Sequence, residues 1–167
     1  LLPFLFTACV EDDPLPEEGG IVVLMYHVIT HGEPSNLYER SALEFENDLK
    51  YLINNNIRIL SFDDLLKIRE SGKMPAGHSA IISFDDGDKS CYTIAQTLLR
   101  KYMMRATFFI WIEKVGQLNY MSDAEISTMS RFMLDGGARL FSFGSHSYTH
   151  QYLQARRDDF PTFEEYE

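Results

Sequence analysis

The chain has 167 residues, with 15 Lys and Arg against 25 Asp and Glu, a formal charge of -10 at pH 7, and 45% hydrophobic and 13% aromatic residues. That length fits one domain able to bury a core without disulfides, and the acidic balance argues against nucleic acid or anionic headgroups as partners. No run reaches the roughly 18 apolar residues of a membrane span, and no repeat at a period of about 20 to 50 residues is visible.

Residues 1–20 differ from the rest. Leu1-Leu2-Pro3-Phe4-Leu5-Phe6 is a short apolar run, Thr7-Ala8-Cys9 follows, and Val10 to Gly20 is polar and contains proline. This order matches the end of a bacterial lipoprotein signal peptide, in which an apolar stretch gives way to small residues before a cysteine that carries lipid. Residues 1–20 are therefore expected to be a signal remnant and tether, with Cys9 as the lipidation site. The expected location is the bacterial cell envelope, facing the periplasm or exterior, with membrane contact only through that lipid. Stable anchoring takes more than one acyl chain. Cys91 is then left unpaired, because a disulfide to Cys9 would have to reach into a flexible tether.

From Ile21 onward, short apolar runs alternate with segments of helical period. Ile21 to Tyr26, Ile57 to Leu60, Ala80 to Phe84, Ala106 to Trp111 and Leu140 to Phe143 are β-branched or aromatic on consecutive positions, the pattern of parallel strands covered on both faces. Between them, Phe45, Leu49, Leu52 and Ile53 share one helical face, as do Ile126, Met129 and Met133. Ser41 with Glu44, Ser61 with Asp64, and Ser122 with Glu125 place a hydroxyl cap three residues before an acid, which predicts three helix starts. Gly136-Gly137 is expected to close the last helix. This alternation of strand and helix predicts an α/β winding, either a doubly wound sheet or part of a barrel. After Leu153 the pattern stops, and residues 154–167 form a polar tail. An eight-stranded barrel usually takes about 250 residues, so residues 21–153 are expected to be the N-terminal part of a larger domain.

In both kinds of α/β fold, functional groups gather where strands end and loops leave the sheet. His27, Asp85-Asp86 and His146-Ser147-Tyr148-Thr149-His150 all follow such ends. Two histidines four apart on a helical turn face the same side and can grip one ion. Together with one aspartate oxygen they make three protein ligands, and the open position suits a catalytic centre rather than a structural one. Where the strand bends into Gly87, one of Asp85 and Asp86 can reach the ion while its neighbour reaches the attacking water. Such an ion makes water more acidic and polarises a carbonyl, and a carboxylate takes the proton, so a metal-dependent hydrolase is the expected chemistry. Each piece alone has a plainer account: Asp-Asp-Gly is a common turn, and a lone H-x-x-x-H often has no ligand. His31 and His78 sit in polar stretches and are expected in solvent, while Cys91, Met103, Met104, Met129 and Met133 are expected to be packing residues.

Ile82-Ser83-Phe84-Asp85-Asp86-Gly87, Arg105-Ala106-Thr107-Phe108-Phe109 and Gly144-Ser145-His146-Ser147-Tyr148-Thr149-His150 resemble, in order and spacing, the motifs of the polysaccharide deacetylases, carbohydrate esterase family four. Leu24-Met25-Tyr26-His27 looks like the start of the subgroup that includes the biofilm poly-N-acetylglucosamine deacetylases. The resemblance covers about Ile21 to Leu153. It implies a distorted (β/α) barrel, only partly present here, that removes acetyl groups from N-acetylated and sometimes O-acetylated polysaccharide. It further implies Asp86, His146 and His150 as ligands of a divalent metal, usually Zn2+. Asp85 would be the base, His27 the acid that protonates the leaving amine, and backbone amides would help the metal stabilise the oxyanion.

Asp88 stands where the family commonly has an aromatic, an added charge expected to raise the pKa of Asp85. The family's later motifs, including the arginine that orients the base, have no counterpart before Glu167. This leaves as an alternative a catalytically incomplete, surface-anchored carbohydrate-binding or scaffold lipoprotein. A metal phosphoesterase is a further rival, set back because Lys89 is the only basic residue close to either motif.

Overall fold

A computed structural model describes residues 19–151, so Cys9 and residues 154–167 lie outside the described part. In chain order the elements are β1 (Ile21–Tyr26), β2 (Val28–Thr30), β3 (Glu39–Ser41), α1 (Ala42–Asn54), β4 (Arg58–Leu60), α2 (Phe62–Ser71) and β5 (Ser79–Phe84). A π-helical turn at Cys91–Ala95 then leads into α3 (Gln96–Lys101), followed by β6 (Ala106–Ile110), α4 (Asp123–Met129) and β7 (Phe141–Ser145). All three anticipated helix starts form reciprocal capping boxes, in which the hydroxyls of Ser41, Ser61 and Ser122 accept from the backbone N–H of Glu44, Asp64 and Glu125, and the serine backbone N–H groups donate to the carboxylates in return.

The central sheet has five strands, all parallel, in the order β1-β5-β6-β7, with β4 also paired to β5. Among the described residues it is open rather than closed into a barrel. Every residue of β5 is buried, which accounts for its apolar character, with Ser79 and Ser83 the two polar residues among six.

Register places one aromatic from each of four strands side by side: Tyr26 opposite Phe84, Phe84 opposite Phe108, and Phe108 opposite Phe143. Their rings stack in series at centroid distances of 5.4, 5.0 and 5.5 Å, close to the strand spacing itself. Phe45 of α1 closes over this row edge-on, 4.9 Å from Tyr26 and 5.6 Å from Phe84. The row takes in the last residues of β1 and β5 and the middle residues of β6 and β7, so on β5 it lies directly beneath Asp85 and Asp86.

Several expectations need correction. β1 is not covered on both faces: Val22, Val23 and Met25 are 54%, 50% and 59% exposed, because β1 is an edge strand whose described neighbour is β5 alone. Ile53 is exposed while Phe45, Leu49 and Leu52 are buried, since the buried stripe of α1 is narrower than the apolar one. α4 stops at Met129, so Met133 does not share its face but lies exposed in a bridge to Arg139, and Gly136-Gly137 turns the chain between those two residues instead of closing a helix. Of the expected packing residues, Cys91, Met104 and Met129 are buried, whereas Met103 is exposed. His31 is exposed as expected, but His78 is half-buried at the start of β5, where its carbonyl accepts from Arg58 at 3.0 Å.

Candidate metal centre

Asp85 extends the ladder one residue beyond β5, its N–H donating to the Tyr26 carbonyl at 2.9 Å. The chain then turns through two left-handed residues, Asp86 at φ 68° and Gly87 at φ 77°. Glycine suits position 87, since a Cβ would meet Ile110 Cδ1 at 3.1 Å on a backbone that side chains rarely adopt. A left-handed aspartate costs roughly 1 kcal/mol, a strain of the kind that clusters at functional sites. It persists because Trp111 N–H donates to the Asp86 carbonyl at 3.2 Å and Met121 N–H to the Gly87 carbonyl at 2.9 Å.

On β7, His146 likewise extends the ladder, its N–H donating to Ile110 at 2.8 Å. The helical turn expected over His146–His150 is absent. Ser147 (φ 62°) and His150 (φ 52°) are left-handed, and Ser147 Oγ accepts from His150 N–H at 2.9 Å. The loop is pinned where Ser147 and Tyr148 carbonyls accept from Ile112 and Glu113 at 3.2 and 3.1 Å. The imidazoles therefore meet through a folded loop and not through helical periodicity.

The two loops bring three donor atoms together. His146 Nε2 and His150 Nε2 are 3.1 Å apart, and Asp86 Oδ1 lies 3.4 Å from the first and 3.2 Å from the second. Ligands of a tetrahedral ion at 2.0–2.1 Å bonds are separated by about 3.3–3.4 Å, so this triangle has the size one small divalent ion requires. Asp86 Oδ1 is also buried without a hydrogen-bond donor. An orphaned buried acceptor costs about 1–3 kcal/mol, and a cation at the centre of the triangle would satisfy it.

Asp85 stands outside the triangle, with Oδ2 4.0 Å from His146 Nδ1. Burial lifts its pKa above the ordinary carboxylate value, opposed by the charges of His146, His27 and His150 and reinforced by Asp86. Asp88 is not the cause of that rise, contrary to expectation: its carboxylate turns away to accept from Ser90 N–H at 2.8 Å. His27 is half-buried beside Tyr38, edge-on at 5.1 Å, and near enough for its charge to act on Asp85. Lys89, the basic residue closest in sequence to either motif, is engaged by Glu125 at 2.6 Å and so is not free to meet a phosphate.

One residue escaped the sequence reading. Trp111 was expected to end a strand, but the strand stops at Ile110 and the indole stacks on His150, centroids 4.6 Å apart at 26°. The signal was available, since Trp111 leaves the sheet at the same rim as the other site residues.

The fold and this site together define an α/β domain with a three-donor cluster, of a size that could hold a cation, at the carboxyl ends of parallel strands. The polysaccharide deacetylase sequence model matches residues 72–164, more than half of the chain, and the chain belongs to that family. It is 26% identical over 147 residues to the poly-beta-1,6-N-acetyl-D-glucosamine N-deacetylase of Staphylococcus epidermidis, covering 79% of this chain and 50% of that protein. The enzyme of the same description from Staphylococcus aureus strain N315 is 35% identical over 83 residues, 50% of this chain and 28% of that one. Among solved structures, IcaB from Ammonifex degensii superposes with a TM-score of 0.67 at 29% identity, over 77% of this chain and 53% of that chain. The Streptococcus pyogenes deacetylase PplD in complex with acetate has a TM-score of 0.69 at 23% identity, over 80% and 58%, a likeness of fold. The chain spans half or less of the length of the curated relatives it matches.

Proposed function

We propose that this chain carries the metal centre of a hydrolase that removes acetyl groups from an N-acetylated extracellular or cell-wall polysaccharide. The observation that carries the reading is the Asp86–His146–His150 triangle, with edges of 3.1 to 3.4 Å around an orphaned carboxylate oxygen, beside a second carboxylate whose pKa burial has raised. In this reading Asp86, His146 and His150 hold a divalent ion, Zn2+. Bound there, the ion supplies Lewis-acid chemistry at the acetyl carbonyl and makes nearby water more acidic.

Asp85, whose carboxylate lies beside the triangle 4.0 Å from His146 Nδ1, then accepts the proton of the attacking water. A carbon–oxygen bond forms, the amide carbon–nitrogen bond breaks, and His27 gives a proton to the departing sugar nitrogen. The products are acetate and a free amino sugar. Support for an amino-sugar polymer as substrate comes from the staphylococcal relatives, which are poly-beta-1,6-N-acetyl-D-glucosamine N-deacetylases. Lipidation of Cys9 at the envelope, in residues outside the described part, is proposed from the sequence pattern alone. The intact triangle favours the enzyme over a non-catalytic carbohydrate-binding lipoprotein.

The test uses the longest natural polypeptide that contains this chain. It is stripped with a chelator, reloaded with zinc, and assayed for acetate release from poly-β-1,6-N-acetylglucosamine, chitin oligomers, peptidoglycan and acetylxylan. Zinc-dependent release from an amino-sugar polymer is the expected result, and no release from any of the four after reloading would overturn the proposal.

A further inference from the structure

We infer that Trp111 is a positioning residue that clamps the His150 imidazole in the orientation the metal centre uses, an inference that rests on the ligand set proposed above. Trp111 is the first residue beyond β6, between the two ligand-bearing strands β5 and β7. It touches both ligand loops. Its backbone N–H holds the Asp86 carbonyl at 3.2 Å, and its indole lies nearly flat on His150 at 4.6 Å. Tyr120 abuts the indole edge-on at 6.1 Å, and the Lys114 ammonium lies 4.9 Å from the ring centre.

The need for such a clamp follows from the loop. His150 sits on left-handed backbone in an irregular segment, where no helix sets its rotamer. A ligand whose ring must be ordered when the ion arrives loses affinity by the entropy of ordering, and a ring already stacked has met that cost on folding. The means is the ring face and not a hydrogen bond, because the Trp111 Nε1–H is buried without an acceptor. A phenyl ring should therefore serve, and a branched aliphatic side chain of similar bulk should not.

Trp111 is the one tryptophan of the chain, so its emission reports on this position without interference. The full chain, with Trp111→Phe and Trp111→Leu variants, is titrated with zinc against a competing chelator, and the folding of each metal-free protein is followed by circular dichroism. Wild-type emission should change and saturate at one zinc per chain. Trp111→Leu should bind zinc about 10–100-fold more weakly, the usual cost of losing a partner that orients a ligand, at unchanged helix and strand content. Trp111→Phe should stay within about threefold of wild type. Wild-type affinity in the folded Leu variant, or equal weakening in Phe and Leu, overturns the clamp while leaving the ligand set standing. A wild type that binds no zinc removes the ligand set and the clamp together.

Discussion

The aromatic row and the rim directly above it are one residue apart in the chain, yet they are built on opposite terms. Phe84 is wholly buried and stacked between Tyr26 and Phe108. Of the next two residues, Asp85 makes the last bond of the ladder and has a pKa raised by burial, and Asp86 turns out of the sheet on left-handed backbone with an orphaned oxygen. The row gains free energy: each aromatic pair contributes about 0.5–1.5 kcal/mol beyond its buried area. The rim costs free energy in strain and unsatisfied polarity, and it persists because four strands locked in register hold its loops from below. The stable layer is thus what allows the strained layer to exist, and substitutions should separate the two.

Phe84→Ala should have the largest effect, a loss of about 3–5 kcal/mol in urea denaturation of the metal-free chain. A loss below about 1 kcal/mol would mean that the row is not what supports the rim. Asp85→Asn should come next, lowering acetate release about 10²–10⁴-fold with zinc content unchanged; if zinc is lost instead, the roles of the two aspartates are exchanged. His146→Ala should cut zinc affinity by more than about 100-fold while leaving metal-free stability within about 1 kcal/mol of wild type, as calorimetry of both would reveal. His27→Ala should slow turnover at least about 10²-fold without change in fold or metal, and wild-type rates would strip it of the acid role.

The smallest effect belongs to a site remote from both layers. Glu46 accepts from Lys101 Nζ at 2.6 Å and Tyr102 Oη at 2.7 Å, which together hold its pKa near about 2 against an ordinary value of 4.5. A depressed carboxylate contributes stability that is present above its ordinary pKa and is lost as pH falls towards the folded value. Glu46→Gln should therefore flatten the fall of the melting temperature between pH 4.5 and about 2 and leave zinc affinity untouched. A shifted zinc affinity would show that the surface of α1 and the rim are coupled after all.

Much of the fold was legible because its signals are local. The five apolar runs became the five strands of the parallel sheet within a residue or two at each end, and the three Ser-x-x-acid signals became capped helix starts. What escaped was short or polar: β2 and β3 have three residues each, too few for a period to register. The segment from Cys91 to Lys101 carries no cap hydroxyl bond, so no start signal announced its helix. The aromatic row was hidden for another reason. An aromatic at the end of a strand says nothing about which aromatic stands beside it until register is known.

Residue type and spacing by themselves determined the α/β class, the strand ends where polar groups emerge, and the candidate residues Asp85, Asp86, His146, His150 and His27. Between the two aspartates residue chemistry left the choice open and the family resemblance implied Asp86 as ligand; the tertiary structure puts Asp86 in the triangle and Asp85 outside it, and it alone decided that His146 and His150 meet through a left-handed loop and that Trp111 lies against one of them. The physical reason is range. Periodicity and capping act within a few residues of one element, whereas the meeting of loops 60 residues apart depends on β5, β6 and β7 lying side by side in one register.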